Sequence, residues 1–309
     1  MTEEKGYKTG YILTVIGGIF WGFSGSCGQN LFMYKNATSQ WLVPIRMIGA
    51  GIILLIFMGI RKKGEVLDIW RDGRDIRRII IFGIFGILAS QFTYFTTIQY
   101  SNAGIATVLQ YLAPAMILVF MCVKERTAPG RHEIIALILS VAGVFVIATH
   151  GNLDSFVIPK NALFWGLLSA VSLLIYSVYP EKLIHRHSTP IVVGWGMLIG
   201  GIVALFMFRP WKIPVTVDSE TVFFLVIITV IGTVLAYTFY MIGVEKIGPA
   251  RASMISCVEP VAATVFSALW LKSRFLPIDI LGFVFILSAV FIIALNKGKK
   301  EKKYMGEEA

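Results

Sequence analysis

The sequence predicts an all-helical integral membrane protein, with ten transmembrane helices forming two inverted five-helix repeats around a central cavity. Three observations carry that expectation. Of the 309 residues, 56% are hydrophobic and 15% charged, and the mean hydropathy of +0.76 lies far above that of a water-soluble domain. The charges gather in short clusters between apolar runs, each near the ~20 residues that cross a ~30 Å hydrocarbon core. The chain also matches itself at one constant offset, without a gap, over about a hundred residues.

The apolar runs fall at 11–32, 40–60, 79–98, 102–123, 132–150, 161–180, 189–208, 221–243, 249–271 and 277–296. Short polar connections separate them, and the longest, 61–78, is predicted to hold a short surface helix. With the N-terminus in the cytoplasm, the cytoplasmic segments hold 21 Lys and Arg and the outer segments 6, while Arg46 lies inside the second run. This bias predicts a multi-pass protein of the plasma membrane with both termini cytoplasmic. It also accounts for the net charge of +10. Nucleic acid is not an expected partner, because no basic face remains once the loops are assigned. The first run is too long for a cleavable signal peptide.

At an offset of 146, Pro44-Ile45 meets Pro190-Ile191, Gly86 meets Gly232, Tyr94 meets Tyr240, Ala106 meets Ala252 and Pro114 meets Pro260. Phe120 then meets Phe266, and Val144-Phe145 meets Val290-Phe291. The repeats are predicted at 11–150 and 161–296, followed by a basic cytoplasmic tail at 297–309. Five spans per repeat is an odd number, so the second repeat must sit upside down relative to the first. Inverted repeats of this kind characterise transporters that alternate access around a site near the bilayer midplane.

The ninth run, from Gly248 to Leu271, carries Glu259 and Pro260 near its middle. A carboxylate at that depth is expensive, and a proline there frees backbone carbonyls. Glu259 is expected roughly 15 Å from the inner surface and Arg46 roughly 9 Å from the outer one. Several readings stand side by side. Glu259 is a titratable site that exchanges a proton for solute or pairs an amine, or it is locked in an ion pair with Arg46, or it caps the carbonyls freed by Pro260. Arg46 lines the cavity or snorkels to the outer headgroups.

Gln91 and Tyr94 share a helical face at i, i+3, and the offset maps them onto Tyr237 and Tyr240. The pair reads either as a mirrored polar lining or as interhelical hydrogen-bond glue. Gln110 and Tyr111 precede Pro114 as Ser256 and Cys257 precede Glu259-Pro260. Asn30 and Tyr176 form another pair at the same offset. With Trp21, these residues are the expected solute-binding set. Tyr11, Tyr34, Tyr100 and Tyr179 read as interface anchors.

These features resemble the drug/metabolite transporter superfamily, and within it the ten-helix proteins with two EamA-type repeats. The resemblance rests on Trp21-Gly22, Arg46, the Ala/Ser-rich starts of spans four and nine, Val258-Glu259-Pro260, Lys124-Glu125-Arg126, and the glycine-dotted spans that hold Gly143 and Gly282. It covers nearly the whole chain. It implies export of small metabolites, often amino acids, without ATP. The sequence departs where an acid often follows span nine and Leu271-Lys272-Ser273-Arg274 stands instead. Val192 also occupies the position that matches Arg46.

Cys27, Cys122 and Cys257 lie inside apolar runs without metal spacing, and His132, His150, His185 and His187 read as surface residues. No Walker loop, HExxH or dinucleotide turn is present. The expectation is therefore a secondary or facilitative transporter, not an enzyme, with no cofactor and no metal. Its partners are a small-molecule solute and the lipid bilayer, with protons as the candidate coupling ion and a monomer as the expected state. The rival reading is a multidrug exporter of lipophilic cations with the same fold, since aromatics around a lone Glu suit a cation.

Overall fold

The computed structural model describes residues 2–62, 64–126, 128–149, 158–247, 255–256 and 258–306. Among the described residues every regular element is helical. The long helices are α1 (Thr2–Tyr34), α2 (Ser39–Arg61), α5 (Ala89–Tyr100), α6 (Ala103–Gln110), α7 (Ala113–Glu125), α8 (Arg131–Thr149) and α9 (Lys160–Val178). They continue as α11 (Thr189–Phe208), α12 (Ser219–Thr229), α13 (Ala236–Ile247), α14 (Val258–Leu269) and α15 (Pro277–Gly306). Short helices α3 (Glu65–Asp68) and α10 (Glu181–Ile184) lie at one end of the bundle, and α4 (Gly73–Ile81) begins the 28-residue rod Gly73–Tyr100 that continues into α5. Among the described residues seven helical segments are long and apolar enough to cross a membrane, and three shorter apolar helices are Ile134–Val146, Val258–Leu269 and Pro277–Ala289.

The internal offset reappears as local structure. Two π-helical segments, Phe82–Leu88 and Val230–Leu235, overlap at an offset of 146, since 84 + 146 = 230. Each widens a long rod by one residue per turn, a device that recurs at functional sites. Asp72 caps α4 through the Arg74 N–H, and Asp218 caps α12 through the Thr221 N–H, again 146 apart. Arg126 and Lys272, at the same offset, both adopt left-handed backbone with φ of 54° and 55°. Side chains rarely accept that conformation, and here it stops the chain after α7 and α14.

The matched prolines each stand just after an interruption or start of a helix. Pro114 lies in the first turn of α7 and Pro260 in the first turn of α14. A missing N–H costs nothing there, because the first four amides have no intrahelical partner. The fourth span is thus two helices, broken at Tyr111-Leu112. In the ninth, residues 248–254 and Cys257 lie outside the described residues.

Close packing joins the first half of the chain to the second. α2 lies on α11, α8 on α15, α1 on α13, and α9 on α5. Small residues make these approaches possible. At Gly22 a Cβ would stand 2.7 Å from the Ala263 nitrogen and 2.8 Å from the Glu259 carbonyl oxygen. Gly22→Leu is therefore expected to push α1 off α14, with a loss of folded, monodisperse protein in detergent chromatography. Gly22→Ala should cost about 1–3 kcal/mol of stability.

Ion pairs tie the ends of the bundle. Lys35 bonds Asp218 at 2.7 Å and also pairs with Glu220. At the other end Arg186 bridges Asp72 and Asp75, both at 2.9 Å, and Arg78 and His187 complete the shell of the buried Asp75. His187 is thus enclosed against Asp75, not a surface residue as its loop position suggests. Hydrogen bonds from Lys35 and from the Thr221 backbone hold the Asp218 carboxyl well below the usual carboxylate range. The Arg74 N–H, with Arg186, does the same for Asp72. A depressed folded-state value stabilises the fold above about pH 4, and the gain is lost as pH falls through the folded value. Asp218→Asn should lower the melting temperature at pH 7 by a few degrees, and the difference from wild type should shrink below pH 4.

Candidate solute-binding cavity

A cavity of about 260 Å³ lies between α1, α2, α5, α6, α7, α9, α13 and α14. Ten of the eleven residues expected from the sequence line it: Trp21, Arg46, Gln91, Tyr94, Gln110, Tyr111, Tyr176, Tyr237, Tyr240 and Glu259. Asn30 does not. It is buried in α1 beyond the cavity floor, and its Oδ1 has no hydrogen-bond partner. Tyr11, Tyr34, Tyr100 and Tyr179 are exposed, as interface anchors would be. Exposure is graded along the cavity. Arg46 and Phe95 at its floor are buried, whereas Ser177, one residue from the end of α9, is exposed and marks the mouth. The mouth lies at the end of the bundle that carries Asp72 and Arg186.

Arg46 comes from the second turn of α2 and is 4% exposed, so it does not snorkel outward. Its Nη2 donates to Thr233 Oγ1 at 2.7 Å. That hydroxyl gives its own proton to the Ile228 carbonyl, five residues back in the widened turn. A lone pair is left for the guanidinium, so the π-helical segment is what makes Thr233 an acceptor here. The guanidinium also lies 4.6 Å from the centre of the Phe95 ring, a cation–π contact strengthened by burial.

Glu259 is the second residue of α14, where the helix dipole favours a negative side chain. Its Oε2 accepts from the Tyr111 hydroxyl at 3.2 Å, and the same hydroxyl lies 3.0 Å from the Ser256 carbonyl oxygen. Tyr111 sits at the α6–α7 break, so the broken helix of one half holds the acid of the other. Among the described residues no ion pair joins Glu259 to Arg46. The locked pair is absent, and the Ser256 carbonyl, four residues before Pro260, is met by the Glu259 N–H and the Tyr111 hydroxyl, not by the Glu259 carboxyl. A basic and an acidic side chain face one small cavity without pairing with each other.

Aromatic groups fill most of the remaining wall. Trp21 meets Tyr237 edge-on and Tyr240 at a tilt, both with centroids 5.2 Å apart. Tyr176 stacks on Phe82 at 5.6 Å. Thr107 donates its proton to the Ala103 carbonyl, so the Tyr94 hydroxyl is the donor in their 2.8 Å bond. Gln110 donates to Ser169 at 2.8 Å. Trp195 is not in the cavity, because its indole N–H bonds the Val66 carbonyl at 2.7 Å.

Sequence reasoning misses Phe95 and Thr233. Phe95 lies four residues after Gln91 and thus on the same helical face, a signal that periodicity could have supplied. Thr233 also lies four residues before Tyr237, but its role depends on the widened turn, which no spacing reveals.

A family model described as the EamA-like transporter family matches residues 8–149 and again 160–295. The chain belongs to the EamA-like transporter family. An uncharacterized inner membrane transporter of Salmonella typhimurium, YicL, is 35% identical over 295 residues, covering 96% of this chain and 98% of that protein. An uncharacterized transporter of Archaeoglobus fulgidus is 21% identical, with 90% and 96% covered. A crystal structure with 17% identity superposes with a TM-score of 0.63 over 96% of this chain and 99% of the other, a likeness of fold. As an EamA-like protein the chain is a multi-pass membrane transporter, and the cavity is the natural place to look for its solute.

Proposed function

We propose that this EamA-like protein is a secondary or facilitative transporter that exports a small zwitterionic metabolite, an amino acid or a close relative. One observation carries the reading. Arg46 and Glu259 face the same cavity and do not pair with each other. A solute with a carboxylate and an ammonium neutralises both, whereas either charge buried alone would be costly. The size of the cavity, about 260 Å³, supports a solute smaller than the drug-sized ligands that occupy roughly 300–1,000 Å³. It argues against the lipophilic-cation reading, as does the buried guanidinium, which repels a cation. The aromatic wall is the feature that favours that rival.

The architecture we infer is ten crossings in two inverted five-helix repeats, in the plasma membrane with both termini cytoplasmic. The reciprocal packing of α1 on α13 and α9 on α5 supports it, with the paired caps, π-helical segments and left-handed helix ends at one offset. With that orientation the mouth at Ser177 opens to the cytoplasm, and the cavity is poised to load solute for export. Alternating access then carries it across, as a monomer, with Glu259 as the group through which protons would couple. The test is counterflow: purified protein in liposomes preloaded with an amino acid mixture should accumulate labelled amino acids. Flux of lipophilic cations without amino-acid flux would favour the rival.

A further inference from the structure

At the end of the bundle opposite the mouth, a closed hydrogen-bond circuit centres on Gln29. The residue is buried in α1, four positions beyond the cavity-lining Gly25. Its Oε1 accepts from the backbone N–H of Ala103, the first residue of α6, at 2.9 Å. A backbone N–H can only donate, which fixes which amide atom is the oxygen. Ser267, on α14, must therefore donate its hydroxyl proton to the same Oε1. The amide nitrogen donates to Ser273 Oγ at 2.9 Å. Ser273 Oγ lies 3.3 Å from Ser267 Oγ, and with the Ser267 proton already committed, Ser273 is the donor there. The circuit runs from amide N–H to Ser273, to Ser267, and back to the amide oxygen. Rings that run in one direction are cooperative, so they form or break as a unit.

The same interface leaves other buried polar atoms unpaired. Asn30 Oδ1, next to Gln29 on α1, and Thr264 Oγ1 on α14, which faces Gly104 of α6, have no hydrogen-bond partner. Buried polar atoms rarely stay unsatisfied in a contact made for permanence. Here one saturated glutamine holds α1, α6, α14 and the segment after α14 together, flanked by two unsatisfied groups.

We infer that Gln29 is the latch that seals the transport path at the Lys35 end, and that its circuit opens once per cycle. This rests on the alternating-access reading and not on the identity of the solute. The test needs no solute. Gln91→Cys serves as a reporter in the cavity of the full chain, with Cys27, Cys122 and Cys257 replaced by alanine, in sealed vesicles of known orientation. A membrane-impermeant maleimide is added to one face or the other. With Gln29 intact, labelling should be fast from the Ser177 face and slow from the Lys35 face.

Gln29→Ala should raise the Lys35-face rate about tenfold or more and lower the Ser177-face rate, because removing the latch shifts the population of the two states. Ser273→Ala, which opens the circuit without altering α1, should shift both rates the same way by less, and it decides the matter if Gln29→Ala fails to fold. Unchanged Lys35-face rates, with Ser177-face labelling retained, would overturn the latch. So would equal rates from both faces before any substitution. Latch behaviour without amino-acid flux would overturn the solute assignment alone.

Discussion

Arg46→Ala should reduce amino-acid counterflow by about a hundredfold, because hydrogen bonds to a charged group are worth about 1.5–3 kcal/mol each and the carboxylate of the solute would lose more than one. The protein should still fold. Removing the guanidinium leaves Thr233, whose hydroxyl keeps its bond to the Ile228 carbonyl, and the Phe95 ring, which is apolar. Glu259 keeps its hydrogen bond from the Tyr111 hydroxyl. Arg46→Lys is the sharper variant. It keeps the charge but not the planar fork that matches a carboxylate in two bonds, and it should still lose about tenfold. Michaelis constants measured in liposomes, beside melting curves of the same preparations, separate a binding defect from a folding one. A Lys variant as active as wild type would mean that Arg46 acts only as a distant charge.

Glu259→Gln should remove the response of transport to pH near neutrality and weaken solute binding by about tenfold or more, since the ammonium loses a charge-assisted partner. The substitution is nearly isosteric, and the Tyr111 hydroxyl can still donate to the amide oxygen, so the turn at the start of α14 should survive. Initial rates across a series of pH values, with and without an imposed proton gradient, are the measurement. A Gln variant that kept the wild-type pH profile would eliminate Glu259 as the coupling group.

The sequence made the membrane class legible because each span is a continuous apolar run and the charges mark its ends. The 146-residue offset was legible for a different reason. Prolines and glycines at matching positions answer to backbone geometry, and Pro114 and Pro260 indeed lie in matching first turns. The meaning of those prolines was not legible. A proline in an apolar run reads equally as a kink or as the start of a new helix, and only the turn at Tyr111-Leu112 distinguishes them. The π-helical segments were hidden too, because a single extra residue per turn leaves no pattern in an apolar run.

Within the site, i, i+3 spacing and the internal offset brought Gln91, Tyr94, Tyr237 and Tyr240 together, and the structure places all four on the cavity wall. The offset misled at Asn30, whose partner position holds Tyr176. Tyr176 lies at the wall near the mouth, while Asn30 lies past the floor, because the cavity extends along α9 to Ser177 and stops short of Asn30 on α1. Gln29 was missed for the same reason. Its hydrogen bonds depend on the serines at 267 and 273 and on the first amide of α6, which are neighbours only in the fold.

If Arg46 and Glu259 hold the two ends of one zwitterion, a density map of the protein with a transported amino acid bound will show it. The solute carboxylate should lie within about 3 Å of the Arg46 guanidinium and its ammonium equally close to the Glu259 carboxylate. A solute seated elsewhere, or one bound in this cavity with neither charged end at those two residues, would contradict it.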